Sequence, residues 1–132
     1  MDGAGYSGDL TPVLLTSGTA INTGTTVTLG LFTNANTVLT ARLEKPMFYV
    51  KITTATVVTG SMTIGYQEKI NDFHVGVDKT VTVTMVLVST GCYSGVTAFT
   101  NEFSAITVNS VKNDLDAAIS TYQVYLTGKI MY

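Results

Sequence analysis

The sequence predicts an all-β protein folded as an antiparallel β-sandwich, and three observations lead to this fold class. Apolar and polar residues alternate with a period of two over most of the chain, which is the pattern of half-buried strands. Threonine, which favours strands, accounts for 24 of the 132 residues. No run of helical periodicity is long enough to supply crossover helices, so the strands are expected to pair antiparallel.

The predicted strands follow one another with short turns between them. Residues 25–32 are typical, because Val27, Leu29 and Leu31 share one face and threonine or glycine occupies the other. Alternation also resumes at residues 73–77. The clearest runs lie at residues 12–16, 25–32, 37–43, 47–54, 61–67, 80–89, 96–99, 103–108 and 121–132. We count eight to nine strands, which must close as a sandwich, and a jelly roll or another Greek key is the favoured architecture.

The connections between these runs carry turn-forming or strongly polar residues. Glu44, Lys45 and Pro46 interrupt the alternation, residues 68–72 form a polar connection, and residues 91–95 are predicted to be a loop. The run at residues 80–89 turns apolar on its second face at Val86 and Val88. We therefore expect both faces of that strand to be covered at its C-terminal end.

The two ends of the chain and one internal segment depart from the strand pattern. Residues 1–11 are rich in glycine and poor in apolar anchors, which predicts a flexible N-terminal arm before a single domain at residues 12–132. Residues 113–119 predict at most one short helix. Asn113 or Asp114 would cap it, Asp116 would lie in its first turn, and Leu115 and Ile119 would form an i, i+4 pair.

The charge density indicates what kind of surface the protein presents. Charged residues make up 12% of the chain, about half of the roughly 25% typical of soluble domains. A monomer of this size should expose about 6,700 Å², so its charges are spread at roughly one per 420 Å². Charged residues are depleted in the cores of protein interfaces. The sequence therefore favours a surface that is largely covered by other subunits.

The same composition argues against several other kinds of partner. The basic residues are scattered and form no footprint for direct nucleic-acid binding: Arg42, Lys45, Lys51, Lys69, Lys79, Lys112 and Lys129. No apolar run approaches the ~18 residues of a membrane span. The start of the chain has no basic and apolar leader pattern, and Cys92 is a single cysteine. We therefore expect assembly inside a cell without export.

A few polar residues are candidates for catalysis, and each has a structural explanation. His74 and Asp72 share one face and could form an acid–base dyad or half of a metal site. Glu68 and Asp72 could form a glycosidase carboxylate pair, although Lys69 lies between them and no tryptophan supplies a sugar platform. A surface or interface histidine and a solvated turn explain these residues more simply. We predict no catalytic residue and no enzyme activity.

Two further groups are candidates for ligand binding. Asn113, Asp114 and Asp116 supply three oxygen ligands of the kind that calcium prefers, although helix capping also explains them. Cys92 lies beside Tyr93 and Ser94 between two glycines, and we expect a small, half-buried loop residue and not a catalytic thiol. We predict no bound cofactor or metal.

The chain as a whole resembles small β-sandwich virion proteins, that is, capsid or capsid-decoration subunits. The likeness rests on the arm at residues 1–11, on threonine-alternating strands such as residues 80–84, on the absence of an export signal and on a strand that runs to Tyr132. It implies a structural, threonine-rich subunit of a homo-oligomer, for instance a trimer, that contacts other shell proteins. It implies assembly in the host cytoplasm into a virion, and it carries over no site residue.

Two other functions fit the same pattern. A filament or pilus subunit would bind its neighbours by strand exchange, for which residues 1–11 would have to act as the donor. A carbohydrate- or ligand-binding module would need an aromatic platform, and Tyr49, Tyr66 and Tyr125 are the tyrosines that the strands offer for it. The mass of the protein in solution separates these functions.

Overall fold

The structure is a computed structural model that describes residues 7–9, 12–29, 37–39, 43–69, 79–98 and 105–131. These residues form strands, turns and bends, and they contain no helix. The strands are β1 (Ser7–Asp9), β2 (Val13–Ile21), β3 (Thr26–Thr28), β4 (Thr37–Leu39), β5 (Leu43–Thr53), β6 (Ser61–Lys69), β7 (Lys79–Thr84), β8 (Val86–Ser89), β9 (Cys92–Ala98), β10 (Ala105–Asn113) and β11 (Ile119–Met131).

The strands form two antiparallel sheets, which confirms the predicted all-β sandwich. The six-stranded sheet has the order β1-β11-β5-β9-β8, with β2 also paired to β11. The five-stranded sheet has the order β3-β10-β6-β7, with β4 also paired to β10. The chain repeatedly changes sheets, so that strands distant in sequence become neighbours. Among the described residues there is no helix long and apolar enough to cross a membrane.

The core lies between the two sheets and is built from the inward-facing residues that the alternation predicts. Phe48, Val50 and Ile52 of β5 are buried, whereas the residues between them face outward. Phe48 meets Tyr66 of β6 edge to face, with ring centroids 5.5 Å apart, so this aromatic pair joins the two sheets. The largest fully buried side chains are Phe48, Leu15, Ile21, Ile52, Met62, Ile64, Ile106, Leu115, Ile119, Leu126 and Val50.

The run predicted as one strand at residues 80–89 is divided between the two sheets. β7 pairs with β6 in one sheet and β8 pairs with β9 in the other. Met85 lies between them, is buried, and donates its N–H to the carbonyl oxygen of Gly60 at 3.0 Å. The expectation that both faces of the C-terminal end are covered is wrong, because all four side chains of β8 are exposed.

Other strand boundaries differ from prediction because pairing extends the strands. β5 continues through Pro46, which lies where the register with β11 shifts between Thr127 and Lys129, so no ladder bond is needed from the proline nitrogen. The predicted loop at residues 91–95 reduces to a tight turn at Gly91, with φ of 76°, and β9 begins directly at Cys92. The described residues form eleven strands, where the sequence predicts eight to nine, since β7 and β8 are separate and short strands pair with β10 and β11.

The predicted helix at residues 113–119 is wrong. The side chain of Asn113 accepts a hydrogen bond from the N–H of Leu115 at 2.8 Å and donates to the carbonyl oxygen of Ala117 at 2.9 Å. The N–H of Asp114 donates to the carbonyl oxygen of Ser61, the first residue of β6, and the N–H of Asp116 donates to the carbonyl oxygen of Thr59 in the loop between β5 and β6. These bonds use backbone groups that a helix would require, so the segment forms a bend between β10 and β11.

Part of the predicted N-terminal arm belongs to a sheet. Ser7–Asp9 forms β1 and pairs antiparallel with Met131, Ile130 and Lys129 of β11. These three residues fall within the segment predicted to be a flexible N-terminal arm, and β11 of the same chain offers them a pairing partner. The remainder of residues 1–11 lies outside the described residues.

Candidate interaction surface

The side chains of several candidate catalytic residues are not described by the structure. His74 and Asp72 fall outside the described residues. Glu68 lies in β6, where its backbone pairs with β10 but its side chain is not described. The structure therefore does not test the acid–base dyad or the carboxylate pair, and the expectation that neither is catalytic stays a prediction.

The three oxygen-bearing residues proposed for calcium are engaged in hydrogen bonds that hold the β10–β11 bend. Asn113 is fully buried, and its amide also donates to the carbonyl oxygen of Ile21 at 3.0 Å. Asp114 accepts from the hydroxyl of Thr63 and pairs with Lys112 at 3.2 Å. Asp116 accepts from both the N–H and the hydroxyl of Thr59, each at 3.0 Å. In the part of the chain that the structure describes, no three His, Cys, Asp or Glu residues are grouped as metal ligands.

The two aspartates of this bend are expected to make stability depend on acid pH. The hydrogen bond from the Thr63 hydroxyl, helped by Lys112, holds the pKa of Asp114 below its ordinary value of 3.8. The N–H and hydroxyl of Thr59 do the same for the pKa of Asp116. A lowered folded-state pKa contributes stability above the unfolded value, and that stability is lost as the pH falls through the lower folded value.

We therefore expect the midpoint temperature of thermal unfolding to decrease as the pH is lowered from about 5 to about 2. The double variant Asp114→Asn, Asp116→Asn should show a smaller fall over the same range, because its side chains do not titrate. Circular dichroism melts of both proteins measure this difference. Equal falls in the two proteins would show that other carboxylates dominate acid unfolding.

The tyrosines and the cysteine occupy two different environments. Tyr66 is buried against Phe48 and is therefore part of the core and not a platform. Tyr49 and Tyr125 lie on the outer face of the six-stranded sheet, with their rings edge to face at 6.1 Å. Cys92 is exposed on that same outer face, opposite Thr53 and Ser89. The expectation of a half-buried loop cysteine is wrong because β9 begins at this residue.

Strand register places an apolar row across the outer face of the six-stranded sheet. Leu14 of β2 is opposite Tyr125 of β11, Tyr125 is opposite Tyr49 of β5, and Tyr49 is opposite Val96 of β9. Directly opposed residues of antiparallel strands share a face. Leu14 and Val96 are about half exposed, at 46% and 53%. We call Leu14, Tyr125, Tyr49 and Val96 the apolar row.

The residues around the apolar row are nearly uncharged. The next row along the sheet contains Ser17, Gln123, Lys51 and Ser94, followed by a row of Thr19, Thr121, Thr53 and Cys92. Of the side chains described on this face, Lys51 alone is charged. Gln123 accepts a hydrogen bond from the hydroxyl of Tyr125 at 3.0 Å, which fixes the outward end of that ring. The face thus combines rigid tyrosines with little charge to desolvate.

A second apolar area lies at the edge of the same sheet. Val57, Val86, Leu87 and Val88, which we call the edge patch, are between 58% and 84% exposed. Val57, Val86 and Leu87 border a groove of about 630 Å³ whose lining also includes Val58, Met85 and Tyr93. The loop that carries Val57 is anchored, because the N–H of Val58 donates to the Tyr93 hydroxyl at 3.1 Å and the N–H of Thr54 donates to Gly91 at 2.8 Å.

The outer face of the five-stranded sheet has a different character. One row across it contains Thr82, Thr63, Lys112 and Thr26, and the next contains Thr80, Gly65, Ser110 and Thr28. Hydroxyl groups and an ion pair cover these rows, so the surface can be hydrated at little cost. Among the described residues, the large apolar side chains that are exposed therefore lie on the outer face of the six-stranded sheet and at its edge.

Sequence reasoning predicted a charge-poor surface but missed both apolar areas. The alternation puts Tyr49 on the face opposite Phe48 and Val50, but the alignment of Tyr49 with Leu14, Tyr125 and Val96 depends on pairings between distant strands. Comparison of the chain with protein families, with curated proteins and with solved structures finds no match. The role of this surface must therefore be inferred from its own geometry and chemistry.

Proposed function

We propose that this protein is a structural subunit of a symmetric protein assembly, acting as a capsid or capsid-decoration protein in a viral particle. The observation that carries the proposal is the apolar row on an outer sheet face where Lys51 is the one charge among the described side chains. Such a face suits contact with other copies of the chain, for example in a trimer, or with other shell proteins.

The energetics of this face favour burial. Leu14 and Val96 would each gain about 1 kcal/mol if a neighbour covered their exposed halves, since complete burial of such side chains is worth about 1.5–3 kcal/mol. Tyr49 and Tyr125 are held by their mutual contact and by Gln123, so little side-chain freedom is lost on binding. Tyrosine is one of the residue types enriched among binding hot spots.

The order of the strands supports the choice of a viral shell. β2, β11, β5 and β9 lie side by side in one sheet, while β3 and β4, then β10, β6 and β7, form the other. We interpret this strand order as that of a jelly roll, an architecture that recurs in viral capsid proteins as well as in lectins and cupins. In such a particle the subunit would assemble in the host cytoplasm before the virion is released.

The assembly proposal predicts a change in mass when the apolar row is charged. We expect the protein to form a discrete oligomer at micromolar concentration and the Leu14→Lys variant to form a smaller species. Burying a lysine at the contact should weaken association at least about tenfold, which corresponds to 1.4 kcal/mol. Light scattering after size exclusion measures the masses, and Thr28→Lys on the outer face of the five-stranded sheet is the matched control.

The same measurement separates the alternatives. A wild-type monomer at all concentrations would contradict the assembly function. Open-ended polymers would favour a filament subunit joined by strands. An oligomer that Leu14→Lys leaves intact would show that the apolar row is not the contact.

A further inference from the structure

The edge patch borders a strand whose outer side is open in the part of the chain that the structure describes. There β8 pairs with β9 alone, and each of its side chains is exposed. Edge strands present unpaired N–H and C=O groups, and proteins usually protect them with charged residues or proline. From Thr80 to Ala98 the sequence contains neither. The edge is therefore available for pairing with another strand.

We propose that a second copy of this chain binds this edge, with the two β8 strands antiparallel about a two-fold axis. The two six-stranded sheets then join into one sheet across the pair. This inference rests on the proposed function, because it names one of the contacts within the assembly. Identical strands side by side form an isologous contact, in which each residue meets the same surface of the other copy.

Charge identifies the occupant of the edge as a second copy. The residue on a two-fold axis faces its own counterpart, and the residues beside it lie close to theirs. Any charge there would therefore lie near a like charge. The stretch from Thr80 to Ala98 is uncharged, and so is the segment from Ile52 to Gln67, which includes the loop that carries Val57, so that penalty is removed. A charged partner would leave its own charges desolvated against this surface.

The groove beside β8 supplies the contact that the short strand cannot provide by itself. A bulge between Leu87 and Ser89 limits the regular ladder that β8 offers. Val57 stands at the groove and is the most exposed member of the edge patch, at 84%. The groove can receive an aliphatic side chain of the neighbouring β8, so that side-chain burial accompanies the backbone hydrogen bonds.

A two-fold edge contact also gives each subunit a second contact, in addition to the apolar row. An isologous contact by itself closes at two subunits, so a larger assembly needs a second, different contact. The apolar row lies on the face of the sheet and the edge patch on its edge, so one subunit can use both at once. Leu14→Lys should therefore leave pairs, and Leu14→Lys combined with Leu87→Lys should give monomers.

Cysteine cross-linking tests the geometry directly. In a Cys92→Ser background, the single variants Val86→Cys, Leu87→Cys and Val88→Cys are oxidised and their linked fraction is measured by non-reducing electrophoresis. Residues pair with their own counterparts only at the axis of an antiparallel contact. We therefore expect one of the three positions to link at least about fivefold more than the Thr28→Cys control, which lies on edge strand β3 of the other sheet.

The outcomes distinguish this inference from the proposed function. Oligomers that respond to Leu14→Lys but show no linking above the control at any β8 position would overturn the edge contact and leave the function standing. Equal linking at all three positions would also overturn it, because it indicates parallel strands or random collision. A protein that never self-associates would overturn both.

Discussion

Replacing Asn113 by alanine is expected to lower the free energy of unfolding by about 3–5 kcal/mol. The side chain is fully buried and makes three hydrogen bonds, to the carbonyl oxygens of Ile21 and Ala117 and from the N–H of Leu115. Each buried group left without a partner costs about 1–3 kcal/mol. Since whole domains are stable by about 5–15 kcal/mol, the loss is a large fraction of the total.

The size of this effect follows from the position of Asn113 at one end of the sandwich. Its backbone N–H donates to Thr25 at 3.1 Å and its carbonyl oxygen accepts from Gly24 at 2.7 Å. Together with the bond to Ile21, these contacts connect the end of β10 in one sheet to the end of β2 in the other. One residue therefore fixes how the two sheets meet at this end.

Urea unfolding of the Asn113→Ala variant measures the change, and Asn22→Ala is the control. Asn22 is an exposed asparagine in the adjoining turn, so its loss should change the free energy of unfolding by no more than about 0.5 kcal/mol. A loss at Asn113 as small as at Asn22 would mean that water replaces the amide at little cost. The variant Asn113→Asp should be destabilised further, because a carboxylate would then face two carbonyl oxygens.

Asn113 also shows where prediction from sequence reaches its limit. A polar residue followed by Asp and an apolar i, i+4 pair is the local signature of a helix start. The same residues also fit a bend in which the Asn113 side chain accepts a hydrogen bond from the N–H of Leu115. The bend forms and the helix does not, because Ile21 and Ser61 at the ends of other strands accept hydrogen bonds from this segment. Those partners come from distant parts of the chain, so no local pattern contains them.

The alternation of β5 and β11 was predicted well because it depends only on which face is buried. Phe48, Val50 and Ile52 are inward as expected, and so are Tyr122 and Val124. The alternation does not state which sheet a strand joins, which is why the run at 80–89 was expected to be covered at its C-terminal end. Its apolar second face, at Val86 and Val88, is exposed because the chain changes sheets at Met85.

The sequence predicted that the protein has a charge-poor surface suited to burial, but it did not predict where on the fold this surface lies. Charge depletion is a property of composition, so the sequence indicates that some surface suits burial. The apolar row exists only after Leu14, Tyr125, Tyr49 and Val96 are aligned by four strands. Register of this type is set by long-range pairing, and a shift of one residue would place the same side chains in the core.

Replacing Gly95 by alanine is expected to lower the free energy of unfolding by about 3 kcal/mol, at the upper end of the usual cost of overpacking. A Cβ at this position would lie 2.4 Å from the carbonyl oxygen of Thr84 and 2.7 Å from Cγ1 of Val83. Gly95 faces the core from β9 at the point where β7 ends and the chain crosses to β8. A backbone oxygen cannot rotate away, so the crossing itself would have to move.

The matched control is Ser94→Ala, which adds no atoms to the neighbouring, outward-facing position of the same strand and should change stability little. Gly18→Ala is a second comparison, because there the added Cβ meets the hydroxyl end of the Tyr122 side chain at 2.5 Å and not the backbone. We expect Gly95→Ala to be the most destabilised of the three in thermal and urea unfolding. An equal or smaller loss at Gly95 would show that the crossing at Met85 is pliable. The edge patch would then move with it, since β8 is held to the sheet through β9 and the chain enters it from this crossing.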